Sequence, residues 1–226
     1  QIGGSGITVL STSDSPNVTD VIVEGNFLGT DPTGEFKKGN DANGVHIFDA
    51  DNNTVGGTTP QARNILSGNG NFPQQKAGVG LAVTGGNNNL IEGNYIGVDA
   101  SGVVKLGNSY GVFFTGMNNQ FGGDAAGAGN VVSGNGGPLN QFNQCFGNGI
   151  TVAALISTAD GTLLTDSNNF KGNLIGTTAN GEARLGNCAT GITSNVDVNT
   201  TIGSITEPRR NVISDNGWDA IWCAYT

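Results

Sequence analysis

Charge is scarce in this chain. Asp, Glu, Lys and Arg make up 12% of its 226 residues, and they are scattered rather than gathered into a tail. Nine basic against eighteen acidic residues leave a formal net charge of −9. A surface so short of cations argues against nucleic acid and anionic membrane surfaces as partners. No apolar run reaches the length of a membrane span, which argues against membrane insertion. There is no initiating methionine and no signal peptide, so the sequence reads as a mature or excerpted chain. No window sustains an apolar repeat at helical spacing, which argues against a helical fold.

Glycine, by contrast, is abundant, at 39 residues. It suits turns between short strands and would be costly inside helices. Six glycines open a short apolar-polar-apolar triplet: Gly6, Gly44, Gly80, Gly111, Gly149 and Gly191, with Ala220 opening a seventh. The steps between openings are 38, 36, 31, 38, 42 and 29 residues. Repetition at this period means stacked supersecondary units. Each unit adds a second strand of the form Asn-x-hydrophobe-x-Gly, as in Asn89 to Gly93, and a third of the form Asn-x-hydrophobe, as in Asn94 to Ile96.

Three half-buried strands per unit predict an all-β, right-handed parallel solenoid with three sides. It is one domain over residues 1–226, with six coils and a partial seventh. The inward rows of the first strand are Ile7, Val45, Leu81, Val112, Ile150, Ile192, Ile221 and Val9, Ile47, Val83, Phe114, Val152, Ser194, Cys223. The second strand adds Val23, Val55, Ile91, Phe121, Phe170 and Ile202. The third adds Leu28, Leu66, Ile96, Val132, Ile175 and Ile213. Stacked coils bury what a single coil cannot. At about 4.8 Å per coil, the rod is on the order of 30 Å tall.

Two coil types alternate. Coils opening at Gly6, Gly80 and Gly149 carry a long excursion after the third strand, from Gly29, Gly97 and Gly176 to Gly39, Gly107 and Gly186. Coils opening at Gly44, Gly111 and Gly191 carry a loop between the second and third strands instead. These residues resemble the right-handed parallel β-helix superfamily, whose best-known members are the pectate lyases. The Gly-Asn-x-Ile-Gly-x-Asp strings followed by Asn-Val-Ile-Ser-x-Asn look like tandem repeats of bacterial extracellular and surface proteins. The resemblance implies the fold over nearly the whole chain. For a lyase it also implies an acidic calcium cluster with a catalytic arginine or lysine, and this sequence offers no residues at matching positions.

Three cysteines leave one over. Cys145 and Cys188 lie shortly before adjacent coil openings, at the same corner, so a bond between them is expected. Such a bond implies an oxidising compartment, and hence a secreted or cell-surface location. Cys223 falls on an inward row and is expected in the core.

The outward row of the first strand is Thr8, His46, Ala82, Phe113, Thr151, Thr193 and Trp222. It holds no carboxylate, lysine or arginine, and it is too mixed for an ice-binding threonine array. His46 with Asp49 and Asp51 is the one constellation in which an imidazole could act as general base. It occurs at a single coil, and a solvated strand edge explains it more simply. Asp31 and Asp99 occupy equal places in the excursions and are weak candidates for calcium, although an aspartate opening a turn ordinarily bonds its own backbone. Arg209 and Arg210 read as a surface pair. Asn17, Asn52 and Asn199 begin glycan-acceptor patterns. Asn53, Asn89, Asn119 and Asn169 fall near one corner, and Asn26, Asn64, Asn94, Asn130, Asn173 and Asn211 at another. Stacked amides there should hydrogen-bond along the axis.

The functional expectation is a non-catalytic extracellular structural protein, a filament subunit or a surface stalk. Its partner would be a second copy stacked head to tail through Ile2, Ile7 and Val9 at one end and Ile221, Trp222 and Tyr225 at the other. The alternative is a polysaccharide-binding or polysaccharide-degrading module, with a glycan as partner.

Overall fold

The computed structural model describes residues 4–14, 18–70, 78–137, 145–153, 167–195, 199–205 and 210–224. Among them the chain forms nineteen short strands, β1 to β19 in chain order, and no helix. They make three sheets. The first contains β1 (Ile7–Leu10), β4 (Val45–Phe48), β7 (Val79–Thr84), β10 (Tyr110–Phe114), β13 (Ile150–Val152), β16 (Ile192–Asn195) and β19 (Ile221–Ala224). The second contains β2 (Ile22–Val23), β5 (Thr54–Gly56), β8 (Leu90–Glu92), β11 (Gln120–Gly122), β14 (Asn169–Lys171) and β17 (Thr201–Ile202). The third contains β3 (Phe27–Leu28), β6 (Ile65–Leu66), β9 (Tyr95–Ile96), β12 (Val131–Val132), β15 (Leu174–Ile175) and β18 (Val212–Ile213).

Every pairing is parallel, and each strand pairs with the equivalent strand of the next coil. The result is a right-handed, three-sided solenoid. The register runs Ile7, Val45, Leu81, Val112, Ile150, Ile192, Ile221 along the first sheet. Those inward rows form one continuous core, except that Ile221 on the last described strand is 43% exposed. Phe114 of the first sheet meets Phe121 and Phe170 of the second edge-on across the interior, with ring centroids 5.8 and 5.6 Å apart. All three rings are fully buried, and edge-to-face geometry places the positive ring edge on the negative face. Cys223 does lie on the inward row, paired with Ser194, but it is exposed rather than core. It stands on the last described strand, where no neighbouring coil covers it.

Asparagine columns hold the corners. At the second corner Asn26, Asn64, Asn94, Asn130, Asn173 and Asn211 pass Nδ2–H to Oδ1 from coil to coil, at 2.9–3.1 Å. At the first corner the column is Asn53, Asn89, Asn119 and Asn168. The fourth rung is therefore Asn168 and not Asn169. Ser167 takes the left-handed position, as Asn52, Asn88 and Asn118 do in the coils before, and Asn169 becomes the first residue of β14. A third column was not anticipated: Asn40, Asn69, Asn108, Asn135, Asn187 and Asn216.

The excursions fold back as small hairpins, marked by antiparallel bridges Thr30 to Lys37, Val98 to Lys105 and Thr177 to Arg184. Their turn glycines Gly34 and Gly102 lie over Phe27 and Tyr95 on the outer face of the third sheet. Successive hairpins also bond directly, from Ala100 N–H to the Gly34 carbonyl and from Ala179 N–H to the Gly102 carbonyl, at 3.0 and 2.9 Å. The middle of the third sheet is thus covered on both faces, where Ile65 and Val131 on its outer row are buried, while Phe27 and Val212 at its two ends are 42% and 41% exposed.

Candidate functional site

The outward row of the first sheet follows the order read from the sequence, with Thr8, His46, Ala82, Phe113, Thr151, Thr193 and Trp222 in register. His46 is half-buried on β4. Its Nε2 lies 3.2 Å from the Thr84 hydroxyl, and its ring meets Phe48 edge-on at 5.6 Å. Burial holds its pKa below the usual histidine value, so the ring is neutral near pH 7. Asp49 takes a left-handed backbone, and its N–H donates to the Thr84 carbonyl at 2.8 Å. Asp51 accepts the Asn87 N–H at 2.7 Å. The three share one strand end, but the imidazole, the Asp49 backbone and the Asp51 carboxylate each serve a different neighbour.

Asp31 and Asp99 cap their own hairpins. Asp99 Oδ1 accepts the Val103 and Val104 N–H groups at 3.1 and 3.0 Å, and Oδ2 accepts the Ser101 hydroxyl at 2.6 Å. Burial pushes its carboxyl upward, and these bonds more than offset that, so its pKa is lowered. Asp31 repeats the pattern with Glu35, Phe36 and Thr33. In the third hairpin Thr178 stands in, accepting the Ala183 N–H at 3.1 Å. Among the described residues no group of three or more His, Cys, Asp or Glu side chains converges as a metal set would.

Cys145 and Cys188 are joined by a disulfide, with Cα atoms 5.6 Å apart. Such a bond fits an oxidising compartment. Ile7 is half-buried, Val9 is buried, and Ile221 and Trp222 are each 43% exposed. Ile2 and Tyr225, with Arg209 and Asn17, lie outside the described residues. Arg210 and the acceptors Asn52 and Asn199 are exposed.

Among the described residues, clefts indent the outer surface at two places of note. One, of about 610 Å³, lies on the second sheet beside Asn169, Lys171, Asp124 and Thr201. Lys171 and Asp124 form an ion pair there at 2.9 Å. The second, of about 240 Å³, lies where two coils enter the first sheet. Asn148, Thr190, Thr193, Trp218, Asp219 and Trp222 line it. Of these only Thr193 and Trp222 stood on the outward row read from the sequence. Asn148, Thr190 and Asp219 form a column directly before the coil openings Gly149, Gly191 and Ala220. Reading that column beside the outward row would have found them.

Comparison with known proteins finds no family model, no curated protein and no solved structure that matches this chain.

Proposed function

We propose that the chain is a non-catalytic structural module of an extracellular or cell-surface assembly, a stiff rod that spaces or stalks. In this reading a second copy placed head to tail covers β19, where Ile221 is 43% exposed. The observation that carries this reading is the use of the corner asparagines. Each interior amide spends its donors and acceptors on the coils above and below. Asn108 is typical: Nδ2 donates to Asn135 Oδ1 and to the Leu66 carbonyl at 3.0 and 2.8 Å, and Oδ1 accepts from Asn69 Nδ2 and Asn69 N–H, both at 2.9 Å. An amide satisfied at all four positions rigidifies the stack and has nothing left for a ligand. Three such columns resist shear between coils on every side.

The turn aspartates and the hairpin lysines are likewise committed to their own framework. Lys37 and Lys105 reach along the axis to the Gly107 and Gly186 carbonyls, both at 3.4 Å. The disulfide supports the external location.

Electron microscopy of the native protein tests the reading. Unbranched fibres with an axial repeat on the order of 30 Å, or straight rods in a longer parent chain, are the expected result. Release of new reducing ends or unsaturated products from polysaccharides by the purified chain would overturn it.

A further inference from the structure

The chain has two tryptophans, and both line the 240 Å³ cleft on the first sheet. Trp218 is 60% exposed and Trp222 43%. Trp222 stands on the outward row, and a coil added beside β19 would lie next to its ring and not over it.

The cleft floor is polar. Thr190 and Thr193 are only 4% and 7% exposed, and their hydroxyls, with no hydrogen bond among the described residues, keep access to solvent in the cleft. Asn148 accepts the Thr190 N–H at 3.2 Å and gives one amide proton to the Thr151 hydroxyl at 3.1 Å, which leaves the other proton free. A hydroxyl open to the cleft can exchange its water for a ligand hydroxyl at little cost. Asp219 adds a carboxylate at the rim.

Two indoles beside two hydroxyls, an amide and a carboxylate match one kind of surface, a sugar ring. Its C–H face lies on an aromatic face, and its hydroxyls bond donors and acceptors at the edge. The lining has no cation, and with Asp219 present and a net charge of −9 an acidic sugar is disfavoured. The volume lies just below the roughly 300–1,000 Å³ of clefts for drug-sized ligands, which suits a single ring. We propose that this cleft binds one neutral pyranose unit of a glycan, stacked between Trp218 and Trp222 and hydrogen-bonded to Thr190, Thr193, Asn148 and Asp219. The site stands apart from the spacer reading, since a rod can present a glycan-binding site, and either can fail alone.

The test is a fluorescence titration of the full chain with cello-, xylo-, manno- and chito-oligosaccharides. Both fluorophores sit in the cleft, so emission reports on it directly. At least one neutral oligosaccharide should shift the emission saturably. Trp222→Ala should weaken that binding about tenfold or more. Thr193→Val, which keeps the side-chain shape, should weaken it severalfold without altering the circular dichroism spectrum. If Trp222→Ala fails to fold, Thr193→Val and Trp222→Phe carry the test. Four results would overturn the proposal: silence across the neutral panel, unchanged binding in these variants, preference for polygalacturonate, or an emission change that follows protein concentration alone.

Discussion

Replacing Asn94 by alanine should cost this solenoid far more than the same change at Asn40. Asn94 is fully buried at the second corner. Its Oδ1 accepts Asn64 Nδ2–H at 2.9 Å and the Asn64 backbone N–H at 3.4 Å. Its Nδ2 donates to Asn130 Oδ1 at 3.0 Å and to the Val55 carbonyl at 2.9 Å. Truncation strands two donors of Asn64, itself fully buried. At about 1–3 kcal/mol for each unsatisfied buried group, the loss is roughly 2–6 kcal/mol. Asn40 is only half-buried, and truncating it removes a single side-chain bond, to Asn69 Oδ1 at 2.9 Å. That loss should be about 1 kcal/mol. Urea unfolding followed by far-ultraviolet circular dichroism reads both, as a fall in midpoint at unchanged slope. Equal losses at the two positions, or a loss under about 1 kcal/mol at Asn94, would refute the view that the columns carry the stack.

Other outcomes follow from the same contacts. Reducing the Cys145–Cys188 bond, which spans 43 residues, should remove about 4 kcal/mol in the chain-entropy account and lower the midpoint in thiol-containing buffer. Asp99→Asn should be less stable than the parent at pH 7. The folded pKa of Asp99 is lowered, so its contribution is present above the unfolded value of about 3.9 and is lost as pH falls through the folded value. The two proteins should therefore converge in unfolding midpoint in acid. At Gly97, where φ is +91°, a Cβ would collide with the Ser133 carbonyl and with Asn135 Oδ1 of the third column, so Gly97→Ala should not yield soluble folded protein. Gly181→Ala, at φ +74° but with only Leu174 Cδ2 within 4 Å, should fold and lose about 1–2 kcal/mol from the left-handed backbone alone, measured in the same urea series.

What could be read in advance was whatever repeats within a coil. The inward rows obey the two-residue period of a strand, and stacking fixes their neighbours, so Val55, Ile91 and Phe121 could be aligned by eye. The fourth rung of the first column slipped by one because Asn168 and Asn169 are adjacent and identical. The spacing resolves it: Asn53, Asn89 and Asn119 each precede an inward residue by two, and Asn168 stands at that distance from Phe170. The third column was hidden because its rungs arrive by two routes. Asn40, Asn108 and Asn187 end the long hairpins, whereas Asn69, Asn135 and Asn216 follow the third strand directly. Chain contexts so different converge only when the coils are stacked.

The same cause explains the outer face of the third sheet. Phe27, Tyr95 and Leu174 sit in odd coils and face outward, which reads as exposed in any single coil. The hairpins of those coils lie against them, Arg63 of an even coil stacks on the Tyr95 ring at 4.0 Å, and each hairpin bonds the next across an intervening coil. The alternation of coil types therefore has a structural reason. A hairpin on every coil would leave no room for its neighbour in the column, and one on every second coil fills it without a gap. The even coils are free to carry their loop at the other corner, where Ala62 N–H donates to the Thr59 carbonyl and Ala128 N–H to the Ala125 carbonyl, at 3.2 and 3.1 Å. The double coil is the smallest unit that closes both columns, and any engineered extension of the rod should be made in that unit.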